Sequence, residues 1–178
     1  MKLTPRTIAL VMSAGLVLAA CGHKASTSAS GSSGPSSGAM GTATVQAKSV
    51  SGLGTVLVAG NGRSLYVLTA DQGGNPTCAA SAACTGVWPP VLLPAGTSAP
   101  QGAAGVTSSM LGTVKDPNGK TQVTYKSWPL YTYSGDSGPS QSNGEGIVSF
   151  GGTWYAMGSS GAPVKSGGSS SGGGGGGY

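Results

Sequence analysis

Two aromatic-acidic motifs set the strongest constraint on this chain: Tyr66 to Asp71 and Tyr131 to Asp136, each a tyrosine followed five residues later by an aspartate. Other landmarks accompany them in the same order. Leu53-Gly54-Thr55-Val56 returns as Leu111-Gly112-Thr113-Val114, an offset of 111 − 53 = 58, and Asn61-Gly62 returns as Asn118-Gly119. Leu65-Tyr66 matches Leu130-Tyr131, and Trp88 and Trp154 follow their aspartates by 17 and 18 residues. Landmarks recurring in one order mark an internal duplication. Two units are too few for a solenoid, so they are expected to pack face to face and cover each other's apolar sides.

No sustained helical period runs through this region. Short β-prone runs alternate with turn signals instead, as in Thr55–Val58, Ser64–Leu68, Gln122–Tyr125, Leu130–Tyr133, Ile147–Phe150 and Thr153–Met157. The two Asn-Gly pairs and Gly151-Gly152 predict tight hairpin turns. The expected fold is all-β, with antiparallel hairpins arranged as two related units, about 53–94 and 111–160, packed into one small domain spanning 51–165.

The ends read differently. Lys2 and Arg6 precede an apolar run, Ile8 to Ala20, that is shorter than the roughly 20 residues a spanning helix needs. Leu18-Ala19-Ala20-Cys21 closes it. Together these resemble the signal peptide (1–20) and lipobox of a bacterial lipoprotein, and that resemblance implies lipid on Cys21. Residues 21–50 are rich in Ser, Gly, Ala and Thr and read as a lipid-anchored tether with a reach of about 30 Å. Residues 166–178 read as a disordered Gly/Ser tail. The expected location is therefore extracytoplasmic, at the cell envelope, with the membrane as partner through the anchor.

The formal charge of +5 shrinks once the ends are set aside: within 51–165 five basic residues face four acidic ones. No basic stripe remains, which argues against nucleic-acid binding. Exported thiols meet oxidising conditions, so Cys78 and Cys84 are expected to pair as a structural disulfide rather than form a redox or metal site. No metal or cofactor is expected, since the only histidine is His23, in the tether. Gly135-Asp136-Ser137-Gly138-Pro139 echoes a serine-protease nucleophile motif but lacks a positioned base. Trp88, Trp128 and Trp154 are expected in the core, and Glu145 in a loop between glycines.

The paired Tyr-x4-Asp motifs, the cysteines ahead of Trp88-Pro89-Pro90, Gln122-Val123-Thr124-Tyr125 and Trp128-Pro129-Leu130-Tyr131 together resemble a family of bacterial secreted-repeat lipoproteins with tandem Y-x4-D motifs. The family carries no established activity, so the resemblance implies an architecture and not a reaction. An aromatic residue two positions after the motif tyrosine is present as Tyr133 but replaced by Leu68 in the first unit. Two roles remain for Tyr66, Asp71, Tyr131 and Asp136. Each aspartate can fix the turn that ends its strand, or the two Tyr–Asp pairs can line a shared cleft for a cation or small ligand. The poverty of catalytic groups favours a non-enzymatic binding or structural module, with an unknown envelope protein or small molecule as partner. The competing class is a redox accessory or ligand-binding protein using the Tyr/Asp motifs.

Overall fold

The computed structural model describes residues 43–165, and Cys21, the signal segment and the Gly/Ser tail lie outside them. The fold is all-β. Strands β1 (Thr44–Val50) and β2 (Gly54–Ala59) form a hairpin, and β1 also takes β4 (Gln101–Gly102) in parallel on its other edge. Strand β3 (Tyr66–Leu68) pairs with β9 (Gly152–Met157), which also holds β8 (Val148–Ser149) and β10 (Pro163–Val164). Strands β5 (Leu111–Lys115), β6 (Thr121–Tyr125) and β7 (Trp128–Pro129) make a third sheet. Among the described residues one short α-helix, α1 (Ala82–Val87), interrupts the strands; Ser81 caps it by accepting from the Cys84 amide.

The first strand corrects the expected tether boundary. Residues 44–50 are expected in the tether because their apolar content is low, yet Val45–Val50 pair with β2 and bury Val45 and Val50. The ladder bonds and two buried valines hold the segment where composition alone does not.

The two units interlock at their centre. The Tyr66 amide donates to the Tyr131 carbonyl at 2.8 Å, and the Tyr131 amide returns a bond to the Tyr66 carbonyl at 2.9 Å. A pseudo-twofold axis passes between these residues. On the far side of Tyr66 lies Ala156, from the second unit, and on the far side of Tyr131 lies Pro90, from the first. Each tyrosine strand is thus flanked by two segments of the other unit. The bonds around this ladder match in pairs. The Leu65 amide reaches Leu57 at 2.9 Å as Leu130 reaches Val123 at 3.0 Å, and Met157 reaches Leu65 at 2.9 Å as Val91 reaches Leu130 at 2.9 Å.

These pairs fix the register of the duplication. Leu57 corresponds to Val123, an offset of 123 − 57 = 66, so β2 is the counterpart of β6, and β1 of β5. The Leu-Gly-Thr-Val and Asn-Gly echoes at an offset near 58 therefore fall on non-equivalent strands and turns. Asn61-Gly62 joins β2 to β3, whereas Asn118-Gly119 joins β5 to β6. Both do form the same turn: Gly62 and Gly119 have φ of 83° and 76°, with amides bonded back to the Ala59 and Asp116 carbonyls. Only the glycine is left-handed in each, so neither is the primed two-residue turn that Asn-Gly suggests.

The primed turns lie elsewhere. Lys126-Ser127 (φ 48° and 66°) joins β6 to β7, and Phe150-Gly151 (φ 51° and 85°) joins β8 to β9. The second is one residue earlier than Gly151-Gly152. Gly152 is needed inside the strand instead: a Cβ there would sit 2.6 Å from Thr69 Oγ1 and 2.9 Å from Leu68 Cδ1. A one-residue slip would also turn every side chain of β9 to the wrong face.

Alternation along the central strands buries both faces. Tyr66, Leu68, Val56, Val58, Trp88 and Trp154 lie in one cluster, with Leu65, Val67, Leu57, Val123, Leu130 and Met157 in the other. The register predicts opposite responses at adjacent glycines. Gly152→Ala should lower unfolding free energy by about 1–3 kcal/mol through overpacking, while Gly151→Asn, at a turn position that tolerates asparagine, should be near neutral. Denaturant titration of the two variants checks this, and the reverse ranking would place the turn at 151–152.

Candidate functional site

The motif residues meet across the duplication rather than within their own units. Tyr66 Oη donates to Asp136 Oδ2 at 2.6 Å, and Tyr131 Oη donates to Asp71 Oδ2 at 2.6 Å. All four side chains are buried. Each aspartate's second oxygen fixes a loop of its own unit. Asp71 Oδ1 accepts from the Thr77 amide at 2.9 Å and from the Thr77 hydroxyl, and Asp136 Oδ1 accepts from the Asn143 amide at 2.9 Å. One carboxylate thus closes a local turn with one oxygen and ties the two units together with the other.

Between the pairs lies a ladder of rings. Trp88 and Trp154 stack with centroids 3.9 Å apart and planes within 3°. Tyr66 meets Trp88 edge-on at 5.5 Å, and Tyr131 meets Trp154 edge-on at 5.2 Å. Edge-to-face pairs align ring quadrupoles and add to the area they bury. Tyr133, half-buried, lies against Trp88 at 4.5 Å. The indole Nε1 atoms of Trp88 and Trp154 are buried with no hydrogen-bond partner among the described residues. Trp128 is half-buried and packs against the second cluster.

Cys78 and Cys84 form a disulfide, buried in the wall of this cluster. Closing so small a loop contributes about 2 kcal/mol in the chain-entropy picture. The second unit fills the matching place differently. Cys78 follows the Thr77 amide that caps Asp71, and Gly144 follows the Asn143 amide that caps Asp136. A Cβ on Gly144 would lie 2.8 Å from the Trp88 ring, so only glycine lets the loop approach.

Sequence reasoning missed several contributors. Arg63 Nη2 donates to the Tyr133 and Asp136 carbonyls, the latter at 2.6 Å, so the first unit holds the second unit's motif loop. Asn118 Nδ2 reciprocates on the Ala79 carbonyl at 2.9 Å, next to the disulfide. Glu145, expected as a plain loop residue, accepts from the Ala156 amide at 2.6 Å. The one available signal was a polar residue six or seven positions after each motif aspartate. Ser137 is exposed and its amide donates to Gln141 Oε1, which is a turn and not a nucleophile's setting.

Burial raises the Tyr66 and Tyr131 phenols well above their ordinary value of 10.0, and the hydrogen bond to a carboxylate raises them further. Burial also raises Asp71, against the bonds from Thr77 and Tyr131 that favour its charged form. Groups raised in the folded state contribute stability below their unfolded pKa and lose it as pH climbs through the folded value. The Asp71 contribution is thus present below 3.8 and lost as pH rises through its elevated pKa, while the tyrosine contribution is lost only above 10.0.

Two outcomes follow from this geometry. In double-mutant cycles, Tyr66→Phe should couple to Asp136→Asn by about 1 kcal/mol or more, whereas Tyr66→Phe with Asp71→Asn should be additive within about 0.5 kcal/mol; coupling within each motif instead would refute the crossing. Thermal melts should show stability falling above pH 10.0, and Tyr66→Phe with Tyr131→Phe should flatten that fall.

A two-unit all-β domain built on crossed Tyr–Asp pairs defines a duplicated module whose halves are structurally dependent on each other. A family model described as a secreted repeat of unknown function matches residues 49–92 and 112–157, together just over half of the chain. The chain belongs to this family, and its location is extracytoplasmic. The ends of the matches differ by 157 − 92 = 65, which agrees with the hydrogen-bonded register. No curated protein and no solved structure matches the chain. No helix among the described residues is long and apolar enough to cross a membrane.

Proposed function

We propose that this chain is a lipid-anchored protein of the cell envelope whose duplicated domain is a non-enzymatic binding or structural module. One observation carries the non-enzymatic reading: both oxygens of Asp71 and of Asp136 are engaged inside the core. Both carboxylates are buried and each oxygen already accepts a hydrogen bond, so neither presents an open face to an outside ligand. That weighs against binding a cation or small ligand at the motifs. The buried disulfide weighs against thiol exchange, which needs access to sulfur.

The anchor reading rests on Leu18-Ala19-Ala20-Cys21 after a short apolar run. An N-terminal lipid with two or more acyl chains holds a protein stably at a membrane. A groove of about 420 Å³ lies between the Cys78–Cys84 segment and the β5–β6 turn, lined by Ala79, Ala82, Pro89, Leu92, Asp116 and Lys120. Its mixed apolar and charged lining suits a small polar ligand or a peptide segment.

Expression of the full chain in a lipoprotein-processing bacterium tests the anchor. Wild-type protein should enter the detergent phase and carry a diacylglyceryl mass on Cys21, and Cys21→Ser should remain in the aqueous phase as uncleaved precursor. Unchanged partitioning of the variant would refute lipidation.

A further inference from the structure

Five aromatic rings in contact, ending on two hydrogen-bonded phenol–carboxylate pairs, form more than a packing device. We propose that this cluster is a one-electron relay that takes the oxidising equivalent of a peroxyl radical at Tyr133 and holds it as a neutral tyrosyl radical at Tyr66, with the proton on Asp136.

Each link has a geometric basis. Tyr133 is the half-buried member of the cluster and touches Trp88, with centroids 4.5 Å apart. Trp88 and Trp154 stack in parallel with centroids 3.9 Å apart, so a hole is shared across both indoles and is easier to create there than on a lone ring. Their Nε1–H groups are buried and face no base among the described residues. An indole radical cation formed there keeps its proton and is not trapped. Buried unpaired N–H groups are uncommon and call for an explanation, and this chemistry supplies one. Tyr66 stands edge-on to Trp88 at 5.5 Å with its hydroxyl 2.6 Å from Asp136 Oδ2. An oxidised phenol is a strong acid, and here the base that takes its proton is already in place. The raised phenol pKa keeps that proton on oxygen until oxidation occurs. Leu68 replaces the equivalent of Tyr133 in the first unit, so the relay has one port and two ends, Tyr66 and Tyr131.

The step balances. The peroxyl radical gains one electron and one solvent proton and leaves as a hydroperoxide. The electron passes from Trp88 through Tyr133, Tyr66 refills Trp88, and the Tyr66 hydroxyl proton moves to Asp136 Oδ2. A one-electron reductant of the ascorbate class returns the electron, and the proton returns with it. The relay requires neither the lipid anchor nor the surface groove.

Flash photolysis of the full chain with a ruthenium polypyridyl complex and persulfate tests it, read by transient absorption and freeze-quench electron paramagnetic resonance. The wild type should develop a neutral tyrosyl signal whose formation slows in heavy water. Tyr133→Leu, which reproduces the first unit's residue, should slow that formation about tenfold. The isosteric Asp136→Asn should lower the Tyr66 radical yield and prolong the tryptophan signal, with folding verified by circular dichroism. Tyr66→Phe with Tyr131→Phe should abolish the tyrosyl signal. An equal signal in that double variant would place the radical on another tyrosine and overturn the relay. If the double variant does not fold, unchanged radical kinetics in both Tyr133→Leu and Asp136→Asn would overturn it equally. Peroxyl radicals from a water-soluble azo initiator should give the same resonance signal, and failure there would overturn the substrate class.

Discussion

The fold depends on an exchange of hydrogen bonds between two halves that cannot complete themselves. Tyr66 finds its carboxylate on the second unit and Tyr131 finds its own on the first. Their backbones meet in a reciprocal pair at the same point. A lone unit would bury a phenol without an acceptor and an aspartate with one oxygen unsatisfied. Each such loss costs about 1–3 kcal/mol, a large fraction of a small domain's stability. The duplication is therefore the minimum that satisfies these groups.

The exchange also explains the shape of the motif. Four residues separate tyrosine from aspartate because the strand must end before the carboxylate turns back. In the first unit Thr69–Asp71 forms a single helical turn directly after β3, and in the second the Asp136 amide bonds back to Tyr133. Both place the carboxylate beside the central ladder, in reach of the other unit's phenol. The same side chain ends a loop and joins two units, so the role of turn-fixing group and that of inter-unit tie are one.

Much of this was legible in the sequence, and the failures have physical causes. Strand content, the duplication and the pairing of Cys78 with Cys84 could be read because periodicity, spacing and redox compartment act locally. The crossing could not, because spacing says where a carboxylate leaves its strand and not which phenol awaits it. The Asn-Gly echo does not give the register, because it marks a turn type and not a place in the fold. Gly62 and Gly119 adopt one geometry at non-equivalent connections, while the turn equivalent to Asn61-Gly62 is built from Lys126-Ser127, which carries no turn signature. The Gly151-Gly152 pair misled for a related reason: one glycine serves a turn, and its neighbour serves close packing against Thr69 and Leu68.

Symmetry holds at the core and fails around it, and the failures are where the units can differ in role. Both units keep the tyrosine, the aspartate and the tryptophan, since each of those residues satisfies a partner in the other half. The surrounding positions serve only their own unit and are free to diverge. The first unit braces its loop with a disulfide and α1, and the second with Gly144 and a hairpin. The first unit closes the ring cluster with Leu68, and the second opens it toward solvent with Tyr133. A core whose phenols, carboxylates and rings engage one another can do little but hold itself together or pass charge through itself. Recognition of an outside molecule is then left to the periphery, where the Cys78–Cys84 disulfide and Tyr133 have no like residue in the other unit.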